Sequence, residues 1–130
     1  MRYLSPLRYP GGKARLAPFF TRLIRSQVPA STHYAEPYAG GAGAALRLLT
    51  DGAVDHIHIN DINAGIAAFW RTITTPDGAN AFNQLINNTP VTIDQWHHQR
   101  TVYQAGQADD LTLGFATFYL NRTNRSGILD

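Results

Sequence analysis

The stretch Glu36-Pro37-Tyr38-Ala39-Gly40-Gly41-Ala42-Gly43 is the part of this 130-residue sequence best suited to hold a ligand. Glycines at a strand-to-helix turn let the backbone approach a bound molecule and present amide N–H groups at a helix N-terminus. Asp61 lies 21 residues beyond Gly40, at the end of a second predicted strand. A carboxylate there can accept hydrogen bonds from both hydroxyls of a ribose. The pairing points to an adenosine-type cofactor. The structural alternative is a tight turn, with Asp61 capping the helix that follows. The turn departs from a dinucleotide fingerprint, because it opens on Glu36-Pro37 and has no final glycine two residues past Gly43. A carboxylate at Glu36 repels a pyrophosphate but attracts an ammonium and a sulfonium. The residues therefore favour S-adenosylmethionine over NAD.

A second group is Arg8-Tyr9-Pro10-Gly11-Gly12-Lys13. Two glycines before a lysine resemble part of a phosphate-binding loop, yet the full G-x-x-x-x-G-K-[ST] pattern fails because Ala14 follows the lysine. Lys13 can instead reach a carboxylate, such as that of a methionine moiety, or stand solvated in a first helical turn. His56 and His58 share one strand face, but no third ligand is evident in the sequence, so a metal site is set aside. His97 and His98 diverge on a helix. Trp70 and Trp96 read as core residues rather than base-stacking platforms. Arg15 and Arg22 share a helical face that reads as solvated.

These residues need elements to hold them. Leu16, Phe19, Phe20, Leu23 and Ile24 recur at helical spacing, predicting an amphipathic helix over 13–27, ended by Pro29. A strand at His33–Glu36 leads into the glycine turn and a helix through Ala44–Leu49. The β-branched alternation of His56-Ile57-His58-Ile59-Asn60 predicts the next strand. Asn63 can cap a helix carrying Ile66, Phe69, Trp70 and Ile73, ending near Pro76. The remainder reads as helical. Thr92 with Gln95 has the form of a capping box for a helix through Trp96 and Tyr103. Asp109 or Asp110 starts a last helix with Leu113, Phe115, Phe118 and Tyr119 as apolar candidates. Strand, turn, helix, strand and helix form a βαβ unit. The expected fold class is α/β: a partial Rossmann-like fold with a helical C-terminal part. Residues 1–75 are expected to form the cofactor-binding portion and 76–120 a helical segment, followed by 121–130, all within one compact domain.

Composition narrows the class without choosing a partner. The chain has no cysteine, which excludes disulfides, thiolate chemistry and cysteine zinc sites. No apolar run is long enough to span a bilayer, and the N-terminus lacks the h-region of a signal peptide, so the expected location is cytoplasmic. A net charge of +2 does not establish a nucleic-acid partner. All the basic residues except Lys13 are arginines, which suits phosphate contacts but also follows from a GC-rich genome.

The blocks Arg8–Lys13, Glu36–Gly43, Asn60-Asp61-Ile62-Asn63 and Phe118-Tyr119-Leu120-Asn121-Arg122 occur in order. Together they resemble the opening half of Dam-like N6-adenine DNA methyltransferases. The resemblance implies the S-adenosylmethionine-dependent methyltransferase form of the Rossmann-like fold, S-adenosylmethionine as cofactor, DNA as substrate, and 121–130 as the start of a target-recognition region. It makes Tyr9 a stacking or packing contact and Lys13 a partner of the methionine carboxylate. It places the cofactor loop at Glu36, Pro37, Tyr38, Gly40, Gly41 and Gly43, and the ribose contact at Asp61. It puts Asn121 and Arg122 where the cofactor domain hands over to DNA, with Arg125 as a further phosphate contact.

Members of that family also carry a later Asp-Pro-Pro-Tyr tetrapeptide that holds the flipped adenine; it is absent from these residues. The sequence stops just after the apolar pair Ile128-Leu129, and the expectation is a truncated N-terminal half with no catalytic residue of its own. Such a half would be completed by a missing C-terminal half or a complementing subunit. The competing expectations are a non-catalytic adenosine- or DNA-binding subunit and an NAD-dependent module, the latter disfavoured by Glu36.

Overall fold

The computed structural model describes residues 3–129. Met1, Arg2 and Asp130, the outer ends of the expected 1–75 and 121–130 segments, lie outside the described residues. The chain forms two compact units, Met1–Asp61 and Ile62–Asp130. The expected 75/76 boundary falls between two helices of the second unit, and the expected 120/121 boundary falls inside its last helix.

Unit 1 opens with an irregular segment and a short 3-10 turn at Lys13–Leu16, followed by α1 at Ala17–Arg25. The expected helix over 13–27 is thus shorter and begins as a 3-10 turn, with Pro18 in the first turn of α1, where a missing N–H costs nothing. Its apolar stripe is only partly covered: Ala17 is buried, while Leu16, Phe19 and Leu23 remain about half exposed.

β1 (His33–Glu36) and β2 (His56–Ile59) pair in parallel, with His33 opposite His56 and Glu36 opposite Ile59. A parallel pair needs a crossover, and α2 (Gly43–Thr50) lies in it. Ala44, Ala45 and Leu48 are buried on α2, joined in the core by Leu7, Ala17, Ala39, Ala42 and Val54. Small side chains dominate here because backbone packs close to backbone. One parallel strand pair with helices agrees with α/β.

Unit 2 is helical: α3 (Ala64–Ile73), α4 (Pro76–Asn88), α5 (Ile93–Ala105) and α6 (Asp110–Thr123), then a 3-10 turn at Arg125–Gly127. Each of the four helices has a side-chain cap. Asn63 accepts from Ile66 N, Thr75 from Gly78 N, Thr92 from Gln95 N and Asp109 from Thr112 N. Only half of the expected capping box forms, since Thr92 N–H donates instead to Tyr119 Oη at 3.3 Å. The core is aromatic. Phe69 meets Trp70, Phe82 and Phe118 with ring centroids 5.1–6.0 Å apart, and Phe82 meets Phe115. Gly114 lets α6 lie against α3, because a Cβ there would come within 2.8 Å of Phe69 N and Cα. No helix among the described residues is long and apolar enough to cross a membrane.

Candidate functional site

Unit 1 gathers residues of three singled-out blocks, Tyr9 and Lys13, Glu36 to Gly43, and Asn60 with Asp61, around the end of its strand pair. β1 delivers Glu36, which is 2% exposed. Its Oε2 accepts from Ala45 N at 3.1 Å, in the first turn of α2. The helix has no capping side chain of its own, because Ala42 stands at the N-cap with φ 49° and ψ 30°. Glu36 therefore satisfies an amide that a Ser or Asp would ordinarily take. Its other oxygen, Oε1, lies 3.2 Å from Lys13 Nζ. That contact is an ion pair without hydrogen-bond geometry, so Oε1 is buried with no hydrogen bond among the described residues. Lys13 Nζ donates to Tyr38 O at 2.7 Å, bridging the two loops.

Asp61 closes the other side. Its Oδ2 accepts from Gly40 N at 2.8 Å, while Ala39 N donates to Asn60 O at 2.8 Å. The glycine turn is thereby tied to the chain just after β2. The first helix after Asp61 is capped by Asn63, not by Asp61. The capping alternative for Asp61 is accordingly removed.

The glycines themselves answer to packing. A Cβ on Gly40 would fall 2.7 Å from Tyr9 Cε1, one on Gly41 2.9 Å from Ser5 Oγ, and one on Gly43 2.9 Å from Ala14 Cβ. Gly40 also has φ 49°, a conformation that L side chains rarely adopt. The turn is glycine-rich so that the segment from Ser5 to Ala14 can lie against it. This is what puts the Tyr9 ring on Gly40. Pro37 is exposed and Tyr38 is 74% exposed. On the strand face shared with Glu36, burial foremost and then the Glu36 carboxylate push the Tyr34 phenol up from its ordinary value.

The residues expected to contact DNA lie in unit 2. Asn121 is fully buried, and its Nδ2 donates to Gly127 O at 3.0 Å. It holds the turn after α6 and does not reach solvent. Arg122 and Arg125 are exposed. A cleft of about 330 Å³ is lined by Trp96, Arg100, Asn124, Arg125, Ile128 and Leu129. Arg100 lies over the Trp96 ring at 5.4 Å, and Trp96 Nε1 donates to Asn124 Oδ1 at 2.6 Å. Sequence reasoning missed this pair, which the spacing of four residues on one helix would have found. Trp70 is buried as expected, whereas Trp96 is partly open.

The histidines show what strand register adds. His33 joins His56 and His58 on the exposed sheet face, its ring 4.7 Å from that of His56, with Nδ1 2.9 Å from His58 Nε2. The rings are nearly parallel, and no group of three metal-ligating side chains among the described residues is arranged to hold a metal ion.

A family model described as D12 class N6 adenine-specific DNA methyltransferase matches residues 9–128. No curated protein and no solved structure matches the chain.

Proposed function

The chain belongs to the D12 class of N6 adenine-specific DNA methyltransferases, and from that premise we propose that unit 1 is the S-adenosylmethionine-binding part of a Rossmann-like methyltransferase fold. The observation that carries this reading is the meeting of Lys13, Glu36 and Asp61 around one glycine turn. The donor set suits the cofactor. Glu36 offers a buried carboxylate oxygen without a hydrogen bond, the partner an ammonium requires. Asp61 offers a carboxylate at the end of the second strand for a ribose. Lys13 is the cation for the methionine carboxylate. Tyr9 packs on the turn, and Tyr38 presents its ring from the exposed side.

The cofactor supplies the methyl group. The adenine amine must leave the base stack and meet hydrogen-bond acceptors set in line with the donor. The 130 residues contain no Asp-Pro-Pro-Tyr, so we assign them cofactor binding and a share of DNA contact, not methyl transfer on their own. On this reading the tetrapeptide belongs to a C-terminal half; on the second reading it belongs to a complementing catalytic subunit. Arg122 and Arg125 contact DNA phosphates, and Asn121 sets the turn that presents Arg125.

Ultraviolet cross-linking with methyl-labelled S-adenosylmethionine tests the cofactor assignment. Label is expected on peptides containing Tyr9 or Tyr38, suppressed by excess S-adenosylhomocysteine and not by NAD. Suppression by NAD alone would transfer the site to the dinucleotide reading.

A further inference from the structure

We infer that Lys13 occupies the place of the ligand's ammonium in the free protein, so that this site discriminates for a ligand carrying an ammonium and a carboxylate together. The inference rests on the cofactor reading above. Its basis is an asymmetry at Glu36. One carboxylate oxygen accepts from the α2 amide of Ala45, while the other is buried, has no hydrogen bond among the described residues and lies 3.2 Å from the Lys13 ammonium. Lys13 has its better bond elsewhere, to Tyr38 O at 2.7 Å. Glu36 is nearly inaccessible, and Lys13 is more than one-third exposed. The lysine can therefore swing outward while the carboxylate stays in place.

A buried carboxylate cannot be left without a cation at low cost. In the free protein Lys13 supplies that cation. An arriving ammonium takes over the role with better geometry, and Lys13 is released. With a carboxylate on the same ligand, Lys13 gains a new partner, so one ion pair becomes two. With an amine alone, one ion pair merely replaces another. Lys13 thus makes the amine worth little unless the carboxylate accompanies it.

Calorimetric titration of three ligands decides the matter: S-adenosylmethionine, its decarboxylated form, and the dimethylsulfonium analogue of adenosine, which lacks both groups. Wild type is expected to bind the decarboxylated form within about twofold of the dimethylsulfonium analogue, and S-adenosylmethionine about tenfold more tightly. In Lys13→Met the decarboxylated form should gain about tenfold over wild type, and the advantage of S-adenosylmethionine over it should vanish. Wild type binding the decarboxylated form as tightly as S-adenosylmethionine would overturn the inference while leaving the cofactor reading intact. So would a Lys13→Met protein that binds the decarboxylated form no better than wild type does. Should that variant fail to fold, the wild-type comparison alone decides. Failure of all three ligands to bind wild type would overturn the cofactor reading and this inference with it.

Discussion

The two units solve the same problem, holding helices in place, by opposite means. In unit 2 every α-helix begins with a side-chain cap, and the core is a cluster of large aromatic rings. In unit 1 neither α1 nor α2 has a side-chain cap, and the buried core is mostly alanine. Where unit 2 places an Asn, Thr or Asp, α2 starts from a left-handed Ala42 and borrows a carboxylate from β1. An L-residue held in that conformation costs about 1–2 kcal/mol, and such conformations gather at functional sites. The difference teaches a division of labour. Unit 2 satisfies its helix ends locally and fills its interior with bulk. Unit 1 brings loops close together and gathers Lys13, Glu36 and Asp61 at one turn.

Variants can break or sharpen that contrast. The largest effect is expected from Phe69→Ala, which removes a ring touching Trp70, Phe82 and Phe118. A loss of about 3–5 kcal/mol is expected in denaturant unfolding, with faster amide exchange across 62–129. Gly40→Ala comes next. Its Cβ would strike the Tyr9 ring at 2.7 Å, at an expected cost of about 1–3 kcal/mol. Its exchange signature should appear in 3–61, and cofactor binding should fall with it. An equal stability loss without loss of binding would detach Tyr9 from the site.

Asn63→Ala removes a helix cap that also donates to Tyr103 Oη at 2.8 Å, and thermal unfolding should report about 1 kcal/mol. The smallest effect concerns pH. The Arg71 guanidinium, held by two bonds to Asp110, keeps that carboxyl below its ordinary value. A carboxyl depressed in the folded state contributes stability above its unfolded value and loses it as pH falls through the folded one. Both side chains are about half exposed, so a few tenths of a kcal/mol are expected. The Asp110→Asn variant and wild type should therefore converge in stability as pH falls below about 4. A gap that widened toward acid would refute the pairing.

Much of this organisation was legible in the sequence, for identifiable reasons. β1 matches the expected strand at His33–Glu36, and β2 begins where the alternation of 56–60 begins. Asn63, Thr92 and Asp109 cap as their types predict. The site residues Tyr9, Lys13, Glu36, Gly40 and Asp61 stood out by motif, and the structure brings them together within unit 1. What stayed hidden depends on contacts between segments distant in sequence. The ring of Tyr9 against Gly40 decides why that glycine is needed, and no spacing rule encodes it. His33 joins the other two histidines only through strand register. The burial of Asn121 follows from the turn back to Gly127, which periodicity does not reveal. The partial exposure of the α1 stripe was equally invisible, since a helical period says which residues share a face and not whether anything covers it.

The most direct test of the central claim is a calorimetric titration of S-adenosylmethionine into the wild-type chain and into Asp61→Ala, with circular dichroism confirming that both are folded. Saturable binding to wild type, weakened at least about tenfold in the variant, is the predicted result. A folded wild type that binds nothing, or a variant that binds as well as wild type, would contradict the assignment of unit 1 as the cofactor site.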